Sequence, residues 1–155
     1  MTFEVIGTDH RFQSREVGLQ RLIQSFFEMK YFAGPIQLIA EEWDEQWGKS
    51  AAHKIADEQG IGWLSMDMTP QEKITVGIAE EQRTRRESGQ QVRVPSDEVR
   101  EQAWVEKLEA SGKDHVLVVC GYLHFDGLMQ KLKKRGHETA QRVYLESVPD
   151  ISNPK

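Results

Sequence analysis

Two histidines stand in the same setting near opposite ends of this chain. His10 closes "GTDH" and His124 closes "GYLH", each three residues after a glycine that ends an apolar, β-branched run. A glycine there permits a tight turn, and an imidazole just beyond a strand end is placed to act on a ligand. Acidic residues occupy similar positions between them: Asp9 beside His10, Glu41 and Glu42 in "AEEW", and Asp67 in "SMDMT". Two imidazoles with one or two carboxylates form a ligand set for a divalent transition metal such as Mn, Co or Zn, with His10, Glu41, His124 and Asp67 as candidate donors. A carboxylate left over would act as general base on bound water. Without metal, a histidine and a glutamate activate water directly by proton abstraction. Asp67 also precedes Thr69, a helix cap, so a turn role competes with ligation there. Asp9 either orients His10 or binds metal itself.

The elements that must position these groups are readable from the apolar pattern. Phe3 to Ile6, Ile36 to Ala40, Ile61 to Met66 and Val116 to Cys120 are short, nearly continuous apolar runs that suit strands buried on both faces. Arg142 to Val148 reads as a fifth strand at a sheet edge. Helical spacing predicts an amphipathic helix from about Ser14 to Phe32, ended by Gly34-Pro35. Ser50 caps a second helix that stops at Gly60. Thr69, Pro70 and Glu72 start a third, short one. A helix capped by Ser96 carries Val99, Ala103, Trp104 and Leu108 on its apolar face and stops at Gly112. A last helix runs from about Phe125 to Arg135. Residues 80–96 contain only two large apolar side chains and are expected to form a polar loop or lid. Alternating strands and helices predict one α/β domain over 1–155, with a mainly parallel sheet of four or five strands flanked by helices.

In such a sheet the carboxyl ends of the strands share one edge, where ligands bind at a topological switch. His10, Glu41, Glu42, Asp67 and His124 should therefore converge. Strand alternation points only one of the adjacent glutamates into the site, and Glu41 is the expected one. Arg100 lies in the first turn of its helix, where the helix dipole disfavours a cation, so it is a candidate to face an anionic group. Trp43, Trp47, Trp63 and Trp104 read as core residues.

Composition narrows the function classes. A net charge of −5 offers no general attraction for nucleic acid. No apolar stretch nears the ~20 residues of a membrane span, and no basic segment followed by an apolar one opens the chain, so a cytoplasmic protein is expected. Cys120 is the single cysteine, which excludes an internal disulfide and a cysteine-rich zinc site. No Gly-x-Ser-x-Gly elbow, phosphate loop or Gly-x-Gly-x-x-Gly turn is present.

The paired Gly-x-x-His motifs, with Gly7 and His10 in one and Gly121 and His124 in the other, resemble those of the TIKI/TraB/PrgY/erythromycin-esterase/ChaN superfamily. "IAEE" matches the acidic position of that group through Glu41 or Glu42, and its helical arginine falls on Arg100. The likeness covers most of the chain. Members include metal-dependent proteases and a hydrolase of macrolide esters, while another branch is linked to haem uptake, so the resemblance implies a site more firmly than a substrate. It implies a hydrolase, with or without a divalent metal, acting on a small-molecule or peptide substrate. The competing reading is a non-catalytic binding or sensor module in which Arg83, Arg85, Arg86 and Arg93 clamp an anionic ligand.

Overall fold

The apolar runs are strands whose side chains alternate between two cores. The computed structural model describes residues 1–14, 17–28 and 34–144, with residues 141–144 described by backbone alone. Among these residues lie five strands, β1 (Thr2–Thr8), β2 (Leu38–Glu41), β3 (Gly62–Ser65), β4 (His115–Gly121) and β5 (Glu138–Tyr144). They form one sheet in the order β3-β2-β4-β1-β5, and every pairing is parallel. Six α-helices accompany them: α1 (Val17–Glu28), α2 (Ala51–Gln59), α3 (Pro70–Thr75), α4 (Ala79–Ser88), α5 (Ser96–Ala110) and α6 (Tyr122–Lys134).

β4 illustrates why both faces must be covered. Its Val116, Val118 and Cys120 pack with Trp104, Val105 and Leu108 of α5 and Leu128 and Leu132 of α6. Its Leu117 and Val119 pack with Leu19 and Ile23 of α1 and Ile55 of α2. Chains leaving β1 and β2 thus enter one face, and the chain leaving β4 enters the other. Because β4 lies between β1 and β2, the connections diverge on both of its sides and leave a crevice at the carboxyl edge.

Local signals set most element ends. Ser50 accepts from the His53 N–H at 3.0 Å, and Gly60 ends α2 in the left-handed region, φ +69°. Thr69 and Glu72 form the full capping box at the start of α3.

Trp47, expected in the core, is exposed, and Ser96 is the first residue of α5 and makes no capping bond. Four further expectations need correction. Residues 80–96 are not one loop, since α4 occupies most of the segment; its residues are good helix formers, and its buried anchor is Gln82 rather than an apolar side chain. The buried stripe of α5 is Asp97, Arg100, Glu101, Trp104, Val105 and Leu108, while Val99 is exposed. It is the correct helical spacing rotated onto charged residues, whose charges are neutralised by partners. α6 starts at Tyr122, so His124 sits inside a helix. β5 begins at Glu138, four residues before the expected start, and Val148 lies outside the described residues, as does the end of the first expected helix.

Candidate functional site

Glu42 is the centre of the crevice. Its Oε1 accepts the Gly121 N–H at 2.9 Å, and its Oε2 accepts from Arg100 Nη2 at 2.6 Å. The same Oε2 lies 3.4 Å from His10 Nε2 and 3.7 Å from His124 Nε2. The two histidines of the paired motifs therefore meet through one carboxylate. Burial opposes the charge on Glu42, but His10 and Arg100 outweigh it and hold the carboxyl well below the usual range.

His10 opens a short 3-10 turn, His10–Phe12, behind the Asp9 cap, which accepts the Arg11 N–H at 3.0 Å. Gln13 fixes the ring. Its amide nitrogen donates to Glu41 Oε2 at 2.8 Å and to the Glu42 carbonyl at 3.2 Å, so its oxygen is left to accept from His10 Nδ1 at 2.6 Å. The Nε2 edge then faces Glu42. The negative charge of Glu42 is the main reason the imidazole pKa rises from 6.5 to about 9, with burial pulling the other way. Half of the His10 side chain remains in solvent.

Glu41, the expected site residue, is turned away. Along β2, Leu38 and Ala40 face α5 and α6 whereas Ile39 faces α1 and α2, so alternation sends Glu41 to the α2 side and Glu42 to the α5 side. Ser50 and Trp63 donate to Glu41 Oε1, the tryptophan at 2.9 Å, and Gln13 donates to its other oxygen. Burial raises the Glu41 pKa and these donors oppose it. Glu41 thus supports the Gln13 that orients His10.

Arg100 is 6% exposed and every nitrogen of its guanidinium has an acceptor. Asp67 receives Nε at 3.1 Å and Nη2 at 3.0 Å, and Gln82 receives Nη1 at 2.9 Å. Nη1 also lies 3.3 Å from His124 Nε2. A guanidinium only donates, so that nitrogen accepts and His124 Nδ1–H donates to Glu101 Oε2 at 2.8 Å. Glu101, fully buried, is kept ionised against its burial by Arg93 and His124. Asp67 additionally takes the Trp104 indole N–H at 3.0 Å and Lys73 at 3.3 Å, which leaves it no position to offer a further cation.

The metal set is therefore not assembled. Glu41 points to the other face of the sheet, Asp67 borders the cleft but is taken up by Arg100, Trp104 and Lys73, and the Arg100 guanidinium stands where a cation would bridge Glu42 and His124. Among the described residues, no group of three or more His, Cys, Asp and Glu is arranged to hold a metal ion. The expected arginine clamp is also mostly engaged. Arg83 pairs with Glu80 and Glu87, Arg85 with Asp97, and Arg93 with Glu98 and Glu101. Arg86 alone of the four reaches the cleft without an ion pair among the described residues.

These groups border a cleft of about 320 Å³, lined by His10, Glu42, Arg100 and His124 at its base and by Trp47 and the residues after α4 at its rim. Glycines make the close approaches possible. A Cβ on Gly121 would lie 2.7 Å from His10 Nε2, and one on Gly7 would lie 2.6 Å from Phe125 Cδ1. Each glycine of the paired motifs thus clears a residue of the other half. A Cβ on Gly127, inside α6, would collide with Glu101 Oε1.

Gln13, Gln82, Asp97 and Glu101 were not singled out by sequence. Gly127 is the available signal for Glu101, because a glycine in a helix interior costs about 1 kcal/mol and implies a close neighbour. No family model, no curated protein and no solved structure matches this chain. No helix among the described residues is long and apolar enough to cross a membrane.

Proposed function

We propose that this chain is a hydrolase that cleaves an ester or amide of a small molecule or peptide without a metal, with His10 as the proton-transfer group. The observation that carries this reading is the orientation of His10: Gln13 holds one ring nitrogen, and the other faces Glu42 on the wall of the cleft. In its neutral form His10 takes a proton from water as the water oxygen bonds to the acyl carbon, and the carbonyl electrons move onto its oxygen. Collapse of that intermediate expels the alcohol or amine, which takes the proton back from His10. Tyr122 and Leu123 open α6 at the cleft with no side-chain cap, so the N–H groups of that turn serve the transient oxyanion. Arg100 and the Gly121 N–H hold Glu42 in place, and His124 braces Arg100 by accepting from it. The resemblance to the TIKI/TraB group favours the same class of reaction.

The test is product release from a panel of esters and amides by wild type and His10→Ala. Loss of about a hundredfold or more in kcat, with KM little changed, is expected for removal of a general base. Equal turnover by both proteins sinks the reading.

A second reading has one observation in its favour. With its pKa raised to about 9, His10 is a cation at neutral pH, and exposed Arg86 has no ion pair among the described residues. A module that binds an anionic ligand without turnover would use both. Inorganic phosphate binding that depends on His10 and Arg86, with no hydrolysis of the panel, would establish it instead.

A further inference from the structure

The rim of the cleft carries one conspicuous side chain. Trp47 is 65% exposed, the most exposed large hydrophobic side chain among the described residues, and the other exposed ones, Val17, Ile74, Val76, Val92 and Val99, do not border the cleft. Scattered exposed aliphatics need no explanation, but a tryptophan held open at the mouth of a polar cleft does.

The turn that carries the indole is anchored at several points. Trp47 ends a 3-10 turn, Glu45–Trp47, capped by Asp44, whose carboxylate accepts the Gln46 N–H at 2.9 Å. Gly48 follows at φ +84°, a conformation that a side chain would strain. Its carbonyl accepts the Trp43 indole N–H at 2.8 Å, and Ser65 Oγ donates to the Trp43 carbonyl at 2.6 Å. Trp43, itself 6% exposed, meets Trp47 edge to face with ring centroids 5.2 Å apart. The loop that delivers Glu42 to the base of the cleft thus also presents an aromatic surface at its rim, and the anchored turn and the Trp43 contact lower the ordering cost of stacking a ligand there.

We propose that Trp47 is the specificity residue of the cleft and that the substrate carries an aryl ring that stacks on it, with the carbonyl directed inward toward His10. The direction of the carbonyl rests on the hydrolase reading; the stacking does not. Benzylacetone and methyl hexyl ketone are suitable probes, because both carry an uncleavable carbonyl and the alkyl ketone is the more hydrophobic. A preference for the aryl compound therefore reports stacking rather than greasiness.

Binding of each ketone is measured by tryptophan emission and calorimetry with wild type, Trp47→Ala, Trp47→Phe and His10→Ala. Benzylacetone is expected to bind wild type about three- to tenfold more tightly than methyl hexyl ketone, the range of an aromatic pair beyond its buried area. Trp47→Ala should erase that preference, while Trp47→Phe and His10→Ala retain it. Equal affinities, no binding, or a preference unchanged in Trp47→Ala overturns the proposal. A stacking preference in a protein that hydrolyses no ester or amide leaves the aryl site standing and refutes the hydrolase alone. Hydrolysis without the preference does the reverse.

Discussion

Replacing Glu42 with glutamine separates the charge of this carboxylate from its shape. Glutamine at this position still accepts the Gly121 N–H and still occupies the crevice, but it cannot stabilise an imidazolium at 3.4 Å. His10, whose pKa is raised to about 9 chiefly by Glu42, should then titrate near its ordinary 6.5. The full shift would correspond to about 3 kcal/mol, and with half of the side chain in solvent about 1–2 kcal/mol is the figure to expect after screening. The sign follows from the direction of the shift. Because folding raises the His10 pKa, the stabilisation is complete below pH 6.5 and disappears as pH rises through about 9. Proton NMR of the His10 ring gives the midpoint in wild type and Glu42→Gln, and urea unfolding of wild type and His10→Ala at pH 6 and pH 10 gives the energy. A wild-type midpoint near 6.5, or one that Glu42→Gln does not move, would refute the ion pair at the centre of the site.

Three further outcomes follow from the same geometry. If neutral His10 is the base, kcat/KM of wild type should rise about tenfold per pH unit from pH 6 and level near 9, as steady-state assays across that range will show; a fall with pH identifies His10 as an acid instead. Gly121→Ala should push the half-exposed His10 ring off Glu42 and lose activity, with circular dichroism unchanged and unfolding at pH 6 weakened by no more than the about 1–2 kcal/mol of that ion pair, because the clash is with the end of a side chain rather than with backbone. Gly127→Ala should destabilise by about 1–3 kcal/mol in chemical denaturation, since the new methyl has no room beside buried Glu101. An ordinary helix-interior glycine would give the opposite sign, a gain of about 1 kcal/mol.

The alternation of β-branched runs with capped helices carried the fold class into view, since each strand had to be buried twice over and Ser50 and Thr69 announced their helices. α4 was hidden because it buries Gln82 rather than a leucine, and periodicity is blind to a polar anchor. α5 misled for a related reason: the charges of Asp97, Arg100 and Glu101 look like a solvated face until their partners on other elements are known. His10, Glu42 and His124 were nameable because parallel strands share one edge, and Arg100 because a cation near the start of its helix opposes the dipole. The choice between Glu41 and Glu42 was not, because it depends on which helix layer holds Arg100. The metal expectation had the same blind spot, as spacing alone does not reveal that an arginine reaches the position a cation would take.

The reciprocal glycines give the two motifs different tolerances to change. An alanine at position 7 collides with the ring of Phe125, and shortening that side chain removes the worst of the overlap, so a second substitution can partly repair the first. An alanine at position 121 collides with the imidazole nitrogen itself, and the only repair at position 10 is to give up the histidine. Among variants selected for folding, position 7 should therefore drift together with position 125. Among those selected for turnover, position 121 should stay glycine for as long as position 10 stays histidine.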